Sequence, residues 1–248
     1  MSQVQGNEPA HARGNEPVGQ GHPEVVPHPD EPNHEAREIL ERALPVAPAR
    51  TEVIVGAGGD PLIVGLPIFS VGSLALGMAL MGFVPATALG AIVPIIVFAT
   101  GLYQLVVTIW AALLAQTIVA GIFGTFSGFW LSLGAMLVGL QHNWYGITAA
   151  QATATEELFF IAWGCLFAFL LIPCLRLPAI YPVVVGLVVA ALALAAASLH
   201  TGVGELLTVA SYIILTFAFL GFCAFVNVGL TAMGAKRPFP PLGKPLIA

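Results

Sequence analysis

Formal charge is what this sequence most lacks. From Pro61 to Thr155 it contains no Asp, Glu, Lys or Arg. After Glu156 and Glu157, only Arg176 and Glu205 interrupt the apolar pattern before Lys236. Water-soluble domains need charged faces and a bilayer core excludes them, so this absence names the solvent. Over 248 residues, charged side chains make up 8% and hydrophobic ones 58%, with a mean hydropathy of +0.91. That is the profile of a polytopic membrane protein. The net charge of −5 is unevenly spread: residues 1–60 hold ten acids and four arginines, and the remainder carries a slight positive excess. A basic stripe is missing, which argues against nucleic acid as a partner.

Cysteine is scarce as well. Cys165, Cys174 and Cys223 all lie in apolar runs without metal-ligand spacing, and read as small buried side chains. No metal or other cofactor is expected. Within the apolar segments there is no Ser–His pair, Asp–Asp dyad or HExxH arrangement, so an intramembrane enzyme is the least favoured reading.

The first 55 residues are rich in Pro, Gly, Glu and His and poor in apolar runs, so they cannot bury enough surface to offset chain entropy. A disordered acidic cytoplasmic tail is expected over 1–55. It repeats the tetrapeptide GNEP at Gly6–Pro9 and Gly14–Pro17, and no signal-peptide h-region lies near Met1. Residues 34–44 allow a short amphipathic helix: Asn33 can cap it, and Ile39, Leu40, Ala43 and Leu44 share a stripe. It reads either as a frayed turn or as a membrane-surface helix.

A membrane span needs about 20 apolar residues. Six windows qualify, at about 62–83, 87–110, 113–139, 158–175, 180–200 and 206–230, within a transmembrane domain over 56–235. The fold class is therefore an all-α membrane protein, a six-helix bundle, followed by a short basic tail over 236–248. Placing both termini in the cytoplasm puts every Lys and Arg inside and leaves Glu156, Glu157 and Glu205 outside, as the positive-inside rule requires. Ala120, Gly124, Gly128 and Ser132 form a small-residue ladder for close helix packing, and Pro94 and Pro182 are candidate kinks.

Two segments go beyond generic hydrophobicity. One is Asp60-Pro61-Leu62-Ile63-Val64-Gly65-Leu66, followed by Phe69; the other runs from Gln104 to Leu131 and contains Gly124-Thr125-Phe126-Ser127-Gly128-Phe129-Trp130-Leu131. Together they resemble the acetate uptake transporter family over roughly residues 60–230. That family opens on Asn-Pro-Ala-Pro-Leu-Gly-Leu and carries Tyr-Gly-x-Phe-Trp-Leu in its third span. Here Asp60 replaces the Asn, Ile63 the second Pro, and Phe126 the Tyr. The resemblance implies an entry motif formed by Asp60, Pro61, Gly65 and Leu66, in which Asp60 reads either as a cap on the N–H groups of the first span or as an entrance group. It also implies a pore pinched by Phe69, Phe126 and Leu187, with Val188 as the adjacent register. A plasma-membrane homo-hexamer with one pore per protomer is implied too, importing acetate or a similar small monocarboxylate, with succinate as a further substrate.

The polar side chains left inside the spans are few. Gln104 and Asn227, with Ser70 and Thr125, are the candidates to line a path, the alternative for each being interhelical hydrogen bonding. No span carries a Lys or Arg as counter-ion, so a small anion would rely on neutral dipoles or helix N-terminal N–H groups. No mid-span Asp, Glu or His offers a proton relay. The substrate's own carboxyl group is the expected proton carrier, which makes protons co-substrates. Two other readings remain open: a channel for small anions or neutral solutes including ammonia, and a non-transporting organiser of the bilayer.

Overall fold

The computed structural model describes residues 59–247. Six spans cross it: Leu62–Leu80, Thr87–Leu113, Thr117–Gln141, Ala149–Cys174, Ile180–Thr201 and Gly204–Ala232. Five are single helices, named α1 (Leu62–Leu80), α3 (Thr117–Gln141), α4 (Ala149–Cys174), α5 (Ile180–Thr201) and α6 (Gly204–Ala232). The second span is composite. A 3₁₀ helix over Ala86–Ile92 passes into a π-helix over Ile95–Leu102 and then into α2 (Tyr103–Leu113). Pro94 stands at the junction of the first two pieces, where its missing N–H and its ring break the regular ladder. Pro182 behaves differently. It sits in the first turn of α5, where an N–H would have no intrahelical partner, so it costs the helix little.

Short connections make neighbouring spans run in opposite directions. One end of the bundle gathers the starts of α1, α3 and α5 with the end of α6; the other gathers the ends of α1, α3 and α5 with the starts of α4 and α6. α1 packs most extensively on α6, α5 lies between α4 and α6, and α3 packs on the composite second span. Small residues set these distances. A Cβ on Gly65 would strike the Phe123 ring, and one on Gly221 would strike the Ser70 hydroxyl and approach Phe69.

The sequence pattern is corrected at α4. Its helix begins at Ala149, about two turns before the apolar run at Leu158, because Thr148 and Gln151 form a reciprocal capping box. Glu156 and Glu157 therefore ride on the helix instead of in a loop. Glu157 reaches across to α5, its carboxylate 3.0 Å from Nδ1 of His200.

The far C-terminal segment does not extend away from the bundle. The Asn227 Nδ2 group donates to the carbonyls of Pro238 (3.3 Å) and Pro240 (2.7 Å). Ile180 donates its N–H to Leu242, and the N–H groups of Leu246 and Ile247 both reach the Leu175 carbonyl. Pro178 and Pro245 form an isolated bridge. The segment thus straps across the end of the bundle where α5 begins and α6 ends. The expected tail over 1–55 and the 34–44 helix lie outside the described residues.

Candidate functional site

Four aromatic rings from four helices meet in the core. Phe69 of α1 and Phe126 of α3 touch edge to face, with centroids 4.8 Å apart. Phe217 of α6 stacks on Phe69 at 5.7 Å, and Phe167 of α4 tilts against Phe126 at 4.7 Å. All four are buried. Such ring pairs contribute about 0.5–1.5 kcal/mol each beyond simple contact, so the row is a held arrangement and not a chance one.

A cavity lies on each side of this row. The first, of about 340 Å³, is bordered by the starts of α1, α3 and α5 and the end of α6, with Asp60, Tyr181 and Asn227 among its polar residues. The second, of about 240 Å³, is bordered by the opposite ends of the same helices and the first half of α4, with Glu156 and Ser198 in its wall. Phe69 and Phe126 border both. The cavities therefore sit at opposite ends of the bundle and are parted by one pair of touching rings. Pockets that hold drug-sized ligands span about 300–1,000 Å³, so the first chamber lies at the low end of that range and the second below it.

The residues singled out from sequence fall into three groups. Phe69, Phe126, Asp60, Leu66 and Asn227 border the cavities. Pro61 and Gly65 are buried supports: the Pro61 carbonyl accepts from Val64 and Gly65, and Gly65 admits the Phe123 ring. Ser70, Thr125, Gln104 and Leu187 border neither cavity. Ser70 donates to the Leu66 carbonyl at 2.8 Å and Thr125 to the Gly121 carbonyl at 2.9 Å, both within their own helices. Gln104 is fully buried, and neither amide atom has a hydrogen-bond partner among the described residues. On α5 it is Val188, buried, that faces the second cavity, one residue on from Leu187.

Other participants escaped the sequence reading. Phe167 and Phe217 complete the ring row, and Tyr181 and Leu242 wall the first cavity; Glu156, which the sequence offers as a loop charge or a source of local protons, walls the second. The Thr148-x-x-Gln151 box is the signal that could have placed Glu156 on a helix. Nothing in a run such as Lys236–Pro245 announces that Leu242 returns to the bundle.

Electrostatically both chambers are poor in hydrogen-bond donors. Asp60 Oδ1 accepts from Leu62 N–H at 2.9 Å, capping α1. The Thr231 hydroxyl donates to the Asn227 carbonyl, and the Ser198 hydroxyl to the Val203 carbonyl at 3.0 Å. Among the described residues no Lys, Arg or His borders either cavity, and no group of His, Cys, Asp and Glu side chains is placed to hold a metal.

Comparison with known proteins agrees with this architecture. No curated protein matches the chain in sequence. Among solved structures, that of the bacterial acetate channel SatP is similar in fold. It has a TM-score of 0.67 at 20% identity, over 75% of this chain and 99% of that one. The model of the GPR1/FUN34/yaaH family matches residues 45–234, which is most of the chain. With six apolar spans arranged as that structure's are, this integral membrane protein belongs to the GPR1/FUN34/yaaH family, the acetate transporter family.

Proposed function

We propose that the chain carries acetate, or a monocarboxylate of similar size, across the membrane through the passage that Phe69 and Phe126 pinch. The observation that carries this reading is that, among the described residues, these two rings alone are common to the walls of two cavities at opposite ends of one bundle. A solute moving from one chamber to the other must part them. An apolar neck of this kind passes small, weakly hydrated solutes and holds back large or strongly hydrated ones. The family and the fold shared with an acetate channel support acetate in particular.

In the same reading, transport is linked to protons, both termini face the cytoplasm of the plasma membrane, and protomers assemble as homo-hexamers with one passage each. The first cavity then opens inward, beside Arg176, Lys236 and Lys244, and the second outward, beside Glu157 and Glu205. Succinate stands as a further substrate, which has to part the same two rings. A channel for small anions or ammonia is the runner-up, favoured by the lack of any described titratable group at the ring row. A non-transporting organiser is disfavoured by the paired cavities, which a merely structural bundle has no need to keep.

The test is uptake of labelled acetate into proteoliposomes, with and without an imposed proton gradient. Accumulation that follows the gradient, above that in protein-free vesicles, supports proton-linked transport. Equilibration without accumulation points to the channel, and uptake no faster than in protein-free vesicles sinks transport altogether.

A further inference from the structure

The hydrogen-bonding sense of the two chambers decides which form of a weak acid they accept. A carboxylate anion needs donors or positive charge; an undissociated acid offers an O–H and needs an acceptor. At two of the three helix starts that border the first cavity, those of α1 and α5, the first N–H groups are already taken. At α1, Leu62 donates to the Asp60 carboxylate, Ile63 to the Asp60 carbonyl, and Val64 and Gly65 to the Pro61 carbonyl. At α5, Ile180 donates to Leu242, Tyr181 to Pro178 and Val183 to Ala179, while Pro182 has no N–H. At these two starts the N–H groups that would draw an anion are thus satisfied from within, while at α3 the N–H groups of Thr117, Ile118 and Val119 have no partner among the described residues. α3 adds only apolar side chains to this wall.

Asn227 points the same way. Carbonyl oxygens can only accept, so the contacts with Pro238 and Pro240 require Nδ2 to face them, and both amide hydrogens are used. What the side chain has left is Oδ1, an acceptor, which takes no hydrogen bond from the described residues. Asp60, in the same wall, adds a carboxylate. The basic residues at this end (Arg176, Lys236, Arg237 and Lys244) are not in the cavity lining, and none forms an ion pair with Asp60. The phenol of Tyr181 can turn to donate or accept.

The second cavity repeats the pattern with different residues. Glu156 is its titratable group and Ser198 has its hydrogen committed. Trp130 also borders this cavity, and its buried indole N–H has no partner among the described residues. Of the charged and titratable groups near this end, His200 is paired with Glu157, while His142, Tyr145 and Glu205 lie outside the lining.

Resting on the transport reading above, we propose that the solute crosses as a hydrogen-bond donor, the undissociated carboxylic acid, and that Asp60, Asn227 Oδ1 and Glu156 set this preference by accepting from the acid and repelling its anion. The proton travels on the solute's own oxygen through the ring row and is released after exit. No relay residue is needed, and net movement carries no charge.

The experiment measures labelled acetate uptake into proteoliposomes of the full chain, above protein-free vesicles, under a potassium–valinomycin voltage. Expected is uptake that ignores the voltage and rises about tenfold for each unit of falling outside pH, as the undissociated fraction does well above a carboxyl pKa of about 4. Asp60→Asn keeps the α1 cap, and Glu156→Gln keeps the shape; both add an amide donor. Each is expected to add a voltage-driven component severalfold above wild type. Uptake that follows the voltage in the wild-type protein, with little response to pH, overturns the proposal while leaving transport intact. Variants that stay voltage-blind remove Asp60 and Glu156 from it. No uptake above protein-free vesicles sinks the transport reading and this one with it.

Discussion

Phe69 and Phe126 touch edge to face at 4.8 Å, and together they are the boundary between the two chambers. Shortening Phe69 should therefore change selectivity before it changes anything else. Phe69→Ala should raise uptake of lactate or succinate relative to acetate severalfold. Truncating a buried Phe costs about 3–5 kcal/mol of stability, so Phe69→Leu is the safer companion. The measurement is competition by unlabelled acids against labelled acetate. An unchanged rank order in a folded variant would place the neck elsewhere.

The register on α5 gives a second prediction. Val188 faces the second cavity, whereas Leu187 packs on the core without reaching either chamber. Val188→Ala should alter acetate uptake or acid selectivity, and Leu187→Ala should mainly lower stability, by about 2–5 kcal/mol. Paired uptake and thermal-melting measurements separate the two effects. A selectivity change at 187 alone would reverse the assignment.

Gln104 supplies a third. Its amide is buried without hydrogen-bond partners among the described residues, which costs about 1–3 kcal/mol. Gln104→Leu fills similar space without that cost, and should raise the melting temperature while leaving acetate uptake within about twofold. Loss of transport in this variant would show that the amide serves the solute.

The fourth concerns the C-terminal strap. Asn227→Leu removes two hydrogen bonds to the Pro238 and Pro240 carbonyls, at a cost of about 1–3 kcal/mol. Local opening should then speed hydrogen exchange at the Leu246 and Ile247 amides about tenfold or more, since 1.4 kcal/mol is a factor of ten. Exchange unchanged at both would mean that the segment is held by its other contacts alone.

Much of this molecule is readable from composition. A long stretch without charge implies a bilayer, and apolar windows separated by Val84-Pro85-Ala86, Arg176 and Gly202 give the spans to within a few residues for five of six helices. The fourth span was harder, because Ala149–Glu157 is helical by capping and propensity while its polarity resembles a loop. Phe69 and Phe126 were legible through a motif. Leu187 and Val188 differ by one position, and hydropathy cannot choose the face of a helix that is apolar all round. The polar candidates show the same limit. Ser70 and Thr125 satisfy themselves on the preceding turn, a local choice that spacing does not reveal. The role of Asn227 depends on residues that return from beyond the last helix, and pattern has no reach over such a fold-back.

The ring row draws one member from each of α1, α3, α4 and α6. In the proposed passage the aperture accordingly depends on four of the six spans and on no single hinge. Lipids that are thicker, thinner or more crowded tilt helices to match, and any of four tilts would slide a ring against its neighbour. We expect permeability to follow acyl-chain length in reconstituted vesicles, so that the surrounding membrane becomes a tuning element in its own right.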